Sequence, residues 1–160
     1  MPSVLGMNVK LPDRFEDSLG YLVHHLLYAF RQGIVRRFAV AGFPASHEEL
    51  GVLVLLMRDD GLTQTHLAET LAKDKAVVTR LLDGLVKKHW VERRPDVTDR
   101  RLVRAFLTPE GAHVAQSVFP LLMDYVSEAL DGVSQEELDI TFAALRRIIG
   151  NLKQMNEGAA

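Results

Sequence analysis

The sequence predicts a mostly α-helical fold with one small β-wing, and three observations predict it. Apolar residues recur in steps of three and four through both terminal regions. Capping residues stand before helical stretches at Ser46, Thr63, Thr108 and Ser134. Two β-type runs flank a turn rich in arginine between residues 90 and 107. Read in order, residues 62–107 give helix, turn, helix and ribbon, which is a winged helix-turn-helix lobe, a shape that enters a DNA groove. The long helices on either side of it are expected to be dimerisation helices.

Residues 1–11 read as a flexible lead-in. From 13 to about 41, Phe15, Leu19, Leu22, Leu26, Phe30, Ile34 and Phe38 form one stripe, with Asp13 at the positive end of the helix. Gly42 and Pro44 end it. A helix of this length outruns what a small core covers, so part of its stripe is expected to meet another chain. Ser46 and Glu49 form a capping box that opens a short apolar helix (Leu50, Leu53, Val54, Met57), which stops at Asp59-Asp60-Gly61.

Leu62 provides a brief extended residue, and Thr63 caps a helix over 64–71 with Leu67, Ala68 and Leu71 inward. Lys73-Asp74 makes the turn, with Asp74 as N-cap of a helix running from 75 to about 89. Residues 90–94 and 102–107 read as strands joined by a turn over 95–101. Thr108 and Pro109 start the next helix, which carries Val114, Val118, Leu121, Leu122, Tyr125 and Leu130 to about 131 and in which Pro120 should cause a bend or interrupt the hydrogen bonding. After Gly132 a second capping box, Ser134 and Glu137, opens the last helix, expected to run to about 153. The final Gly-Ala-Ala is expected to lack order. The chain therefore reads as a single domain, 1–160, with dimerisation helices over 11–42 and 109–153 and a DNA-binding lobe over 46–107.

Composition narrows the function. The chain has 160 residues and no cysteine, which excludes disulfides, thiolate metal sites and thiol redox sensing. The N-terminus lacks a basic flank followed by an apolar run, so no signal peptide is expected. The longest apolar run, 52–57, falls far short of the roughly 20 residues that span a bilayer. A cytoplasmic protein without membrane contact is the expectation. Net charge is −2 and pI about 6.3, which taken alone argues against a nucleic-acid partner. The distribution of charge argues the other way: residues 73–104 hold ten Lys/Arg and five Asp/Glu, while the rest of the chain is acidic. A basic block on an acidic body is the footprint of a phosphate site.

The second helix of the motif places Val78, Leu81, Leu82 and Leu85 on one side when each residue turns by ~100°. Ala76, Arg80, Asp83 and Lys87 fall on the other, with Thr79 and Lys75 at its margin. That face is small at its start and cationic along its length, as entry into a groove about 12 Å wide requires. Arg80 is the first choice for a guanine or phosphate contact, followed by Thr79 and Lys75, with Ala76 or Val77 able to touch a thymine methyl. The bland alternative for Arg80 is an ion pair with Asp83 or another surface acid. Gln64 and Thr65 begin the preceding helix, where free N–H groups favour a phosphate; simple capping is the alternative. Lys87 and Lys88 add general phosphate attraction or merely solvate a helix end.

These residues resemble a known family. Leu62-Thr63-Gln64-Thr65-His66-Leu67-Ala68, Asp74 to Asp83, Asp99-Arg100-Arg101 and Leu107-Thr108-Pro109-Glu110-Gly111 are similar in order and spacing to the MarR family of bacterial winged-helix transcription regulators. One departure is His89-Trp90, where the family usually places glycine after Lys-Lys. The resemblance implies a homodimer that binds an inverted-repeat operator on double-stranded DNA, a sequence-specific transcriptional regulator acting as a repressor. It also implies Asp99 and Arg101 as paired wing residues, the carboxylate holding the guanidinium while Arg100 or Arg101 enters the minor groove. Arg93, Arg94 and Arg104 are then assigned to phosphate contacts or strand solubility. A small-molecule effector pocket is implied too, with His25, Tyr28, Arg31 and Met57 as candidate lining; the competing possibility is plain packing.

Two other classes compete with this one. A winged-helix protein–protein module would present a neutral or apolar recognition face, whereas this one is cationic. An enzyme would need a nucleophile–base pair, a phosphate loop or paired carboxylates, and the sequence offers none at useful spacing. His24 and His25 diverge on a helix and the remaining histidines are scattered, so neither a metal nor a cofactor is expected.

Overall fold

A computed structural model describes residues 12–158; the expectations for residues 1–11 and for the last two alanines lie outside the described residues. Two compact units divide the chain, one running to Leu122 and the other beginning at Met123.

In the first unit, α1 spans Leu19–Val40 and begins later than expected. Phe15–Asp17 forms a separate 3-10 turn, and Ser18 is the N-cap, its hydroxyl accepting the Tyr21 N–H at 3.3 Å. Serine satisfies a free helix N–H that Asp13 is too far upstream to reach. The helix ends in a Schellman turn: Gly42 takes φ +85°, and the Phe43 N–H donates to the Phe38 carbonyl at 2.8 Å. Helix α2, His47–Arg58, carries the expected capping box between Ser46 and Glu49. Its Leu50, Val52, Leu53 and Leu56 are buried, as are Ile34 and Phe38 of α1.

Leu62–Thr63 forms a short strand, β1, longer and better paired than the single extended residue expected. Helix α3, Gln64–Thr70, is capped by Thr63, whose hydroxyl accepts the His66 N–H at 3.2 Å. Asp74 occupies the N-cap position of α4, Lys75–Lys87, but its side chain makes no capping hydrogen bond. The sheet has the order β1-β3-β2, with β2 over Val91–Pro95 and β3 over Val103–Leu107, both pairings antiparallel. Leu67, Val78, Leu82, Leu85, Val91, Ala105 and Val118 are also among the buried core residues of this unit.

Two helices of the lobe leave through left-handed residues that are not glycine. Ala72 takes φ +49° after α3, and His89 takes φ +59° after α4. At the second, the Trp90 N–H reaches the Leu85 carbonyl at 3.0 Å and the His89 N–H reaches Val86 at 3.0 Å, again a Schellman turn. The family's glycine would sit at His89, so the departure in sequence keeps the turn and accepts a strained φ.

Helix α5, Pro109–Ala129, runs through Pro120, which removes one N–H from the ladder without ending the helix. Its Gly111 has no substitute: a Cβ there would lie 1.7 Å from the Trp90 carbonyl oxygen, which also accepts the Thr108 N–H at 3.1 Å. The second unit holds the end of α5 and α6, Gln135–Glu157, opened by the expected Ser134–Glu137 capping box. This helix passes the expected end near 153 because Gln154 and Met155 are good helix formers and glycine arrives only at 158. None of its residues is buried, and Ile140, Phe142, Ile149, Leu152 and Met155 are exposed. Among the described residues no helix is long and apolar enough to cross a membrane.

Candidate nucleic-acid interface

The ten cations between residues 73 and 104 separate into two groups once their partners are known. Lys73 lies 3.7 Å from Glu48, Lys88 2.9 Å from Glu49, and Arg93 2.8 Å from Asp83. Arg94 pairs with Glu92 and Arg104 with Asp96. Lys75, Arg80, Lys87, Arg100 and Arg101 are exposed and make no side-chain hydrogen bond or ion pair with the described residues. The first three line the outward side of α4 and the last two tip the wing, so the uncompensated charge is concentrated on these two elements.

Each expected contact residue has a definite place. Arg80 does not pair with Asp83, because Arg93 takes that carboxylate. Ala76 is exposed at the start of α4, leaving room for close approach. Gln64 and Thr79 are joined to each other: the Gln64 amide donates to the Thr79 hydroxyl and, at 3.2 Å, to the Lys75 carbonyl. The Thr79 hydroxyl in turn donates to the Lys75 carbonyl at 2.9 Å. Thr65 is half-buried at the start of α3. Arg94 is exposed on β2, with its guanidinium 4.6 Å from the centre of the Phe106 ring.

The wing is held differently from the expectation. Asp99 accepts the backbone N–H of Arg101 at 2.9 Å and leaves the guanidinium alone. A carboxylate two residues back closes an Asx turn more readily than it reaches around a long side chain. The buried anchor is Asp96, 4% exposed, which in the sequence looks like an ordinary turn residue. It accepts the Thr98 N–H at 2.8 Å, the Thr98 hydroxyl at 2.6 Å and the Asp99 N–H at 2.8 Å, as well as the Arg104 guanidinium. The Thr98 hydroxyl first, then the Asp99 N–H and Arg104, hold its carboxyl far below the ordinary carboxylate range. Arg104 also donates to the Gly61 carbonyl at 2.8 Å, tying the wing to the loop after α2. Arg93 and Arg104 therefore both act as braces within the lobe. Lys88 is another, donating to Glu49 and, at 3.0 Å, to the Pro44 carbonyl. The Pro-Asp-x-Thr run is the local signal for Asp96; nothing local announces Arg104 as its partner.

The expected effector residues are not brought to one place. Tyr28 and Arg31 line a groove of about 510 Å³ along α1, with His24, Leu27 and Gln32. His25 instead stacks on Tyr21, ring centres 4.0 Å apart, and Met57 lines a separate pocket of about 350 Å³ with Leu56, Leu107 and Gln116. Arg31 pairs with Glu48, which also faces Lys73. Burial alone would raise the Glu48 carboxyl, but a backbone N–H, Arg31 and Lys73 outweigh it and hold it below its ordinary value. Among the described residues no group of three or more His, Asp or Glu is placed to hold a metal ion.

Comparison with known proteins agrees with this geometry. A sequence profile of the MarR family matches residues 41–102. The HTH-type transcriptional repressor YetL of Bacillus subtilis is 33% identical over 102 residues, 62% of this chain and 61% of YetL. The match thus spans about three fifths of that relative's length. YdgJ of the same organism, an uncharacterised HTH-type transcriptional regulator, is 31% identical over 110 residues, 69% of this chain and 67% of YdgJ. Among solved structures, a mutant Escherichia coli MarR complexed with operator DNA superposes with a TM-score of 0.72 at 25% identity, covering 81% of this chain and 92% of that one. By profile, by relatives and by fold, the chain belongs to the MarR family.

Proposed function

We propose that the chain is a sequence-specific DNA-binding transcriptional regulator, a repressor, that binds an inverted repeat as a homodimer. The single observation that carries this reading is the sorting of the basic block: the cations left without carboxylates are those on the outward face of α4 and the wing tip. Lys75, Ala76, Thr79, Arg80 and Lys87 face the major groove, Arg100 and Arg101 the minor groove, and Gln64, Thr65, Arg94 and Asp99 support them. YetL is named a repressor and the E. coli MarR structure contains operator DNA, which supports the same role here.

The homodimer reading is supported by α1 and α6, each of which exposes large apolar side chains such as Leu26 at 65% and Ile140 at 63%. The α1 groove beside Tyr28 and Arg31 supports modulation by a small molecule that shifts the spacing of the two lobes. Selecting duplexes from a random library tests the whole reading. Enrichment of an inverted repeat with half-sites ~34 Å apart is expected. A protein that sediments as a single subunit, or that enriches no duplex in dilute buffer, overturns it.

A further inference from the structure

Asp83 is out of place on an otherwise cationic face. It stands on the outward side of α4 between Arg80 and Lys87, its side chain 50% exposed, where a free carboxylate would repel phosphate. Its partner comes from another element: Nη1 of Arg93, on β2, lies 2.8 Å from the carboxylate. Nη2 of the same guanidinium donates to the Thr79 backbone carbonyl at 2.9 Å. One fork thus grips α4 at two points a helical turn apart. The Arg93 Nε is buried without an acceptor among the described residues, so the guanidinium's placement is set by those two grips. The Gln64 amide holds the hydroxyl of the same Thr79. The backbone of Arg93 is fixed in register opposite Ala105, which is buried.

We infer that Arg93 is a positioning residue for DNA recognition, with Asp83 as its anchor: it touches no nucleic acid and locks the wing to the recognition helix. The helix face and the wing tip then meet the duplex as one rigid body, and the orientation of one relative to the other is not lost as entropy on binding. Lysine cannot replace it, because a single ammonium lacks the planar fork that spans a carboxylate and a carbonyl together. Asp83, engaged in this way, reads no base. The inference rests on the DNA-binding role proposed above.

A double-mutant cycle on Arg93→Gln and Asp83→Asn tests it. The probes are a duplex selected by the wild-type protein and a random-sequence duplex of equal length, titrated across a salt series, with thermal melting of each free variant. Each single change is expected to weaken the selected duplex about tenfold per folded molecule, with the double change no worse than either. The random duplex is expected to lose less, and the salt slope to stay unchanged. A slope reduced by about one in Arg93→Gln alone would make Arg93 a phosphate contact and overturn the inference. So would additive losses, or a new base preference in Asp83→Asn. If Arg93→Gln does not fold, Arg93→Lys takes its place: it keeps the charge, and unchanged affinity for the selected duplex refutes the positioning role. A wild-type protein that selects no duplex removes the DNA-binding reading itself, an outcome distinct from a failed cycle.

Discussion

At the base of the wing Arg93 and Arg104 each end on a carboxylate and a backbone carbonyl, whereas at its tip Arg100 and Arg101 are exposed without partners among the described residues. The residue type is the same and the chemistry is opposite. A guanidinium satisfied by its own protein is a strut; one left in water is attracted to any phosphate that approaches. The same division runs along α4 and its C-cap, where neighbouring Lys87 and Lys88 part company: Lys88 is drawn back onto Glu49 and Pro44, and Lys87 is not. Counting basic residues in this region therefore overstates the proposed binding surface, and the carboxylates decide which part remains.

Substitutions that touch the scaffold should separate cleanly from those that touch the binding surface. The largest effect is expected at Gly111, where the first turn of α5 lies against Trp90. Gly111→Ala must push backbone from backbone and should cost about 3 kcal/mol or more, read by denaturant unfolding. Retained stability would show that the contact with Trp90 yields easily. Next is Arg80→Ala, expected to weaken specific binding by roughly 1–3 kcal/mol and relax base preference while the melting temperature holds. An equal loss on random duplex would reduce Arg80 to a phosphate contact.

The two neighbouring lysines give a sharper and smaller contrast. Lys87→Ala should lower the salt slope of binding by about one and leave stability alone, whereas Lys88→Ala should cost about 1 kcal/mol of stability and leave the slope alone. Reversed outcomes would break the division between paired and free cations. His89→Gly relieves a left-handed φ and should stabilise the protein by about 1 kcal/mol with no change in DNA binding. The smallest effect near neutrality is the acid response of the wing. Because the Asp96 carboxyl is held far below its ordinary 3.8, its contribution is complete above that pH and is lost as pH falls through the folded value. Protection factors of the Thr98 and Asp99 amides should hold down to about pH 4 and fall below it; protection that already falls from about pH 6 would discount the carboxylate.

Local signals in the chain are reliable wherever one turn of structure decides the outcome. Both capping boxes, the Thr63 cap and the Pro109 start stand where the residues place them, because each satisfies N–H groups within three residues of itself. The start of α1 lies several residues beyond the expected one because Asp13 and Ser18 are both plausible caps, and only the geometry of the 3-10 turn chooses between them. The wing turn is visible as a turn in the sequence, and its anchor is not, since Asp96 is completed by Arg104 across the hairpin.

What the sequence determined by itself is the order of elements, the outward face of α4 and the family, all of which follow from periodicity, capping and motif spacing. What only the tertiary structure decided is which cation meets which carboxylate. Arg93 and Asp83 lie on different elements, as do Lys88 and Glu49. Electrostatic energy depends on distance in space, which periodicity along a chain does not contain, so the proposed binding surface emerges only after folding has neutralised the other cations of the basic block.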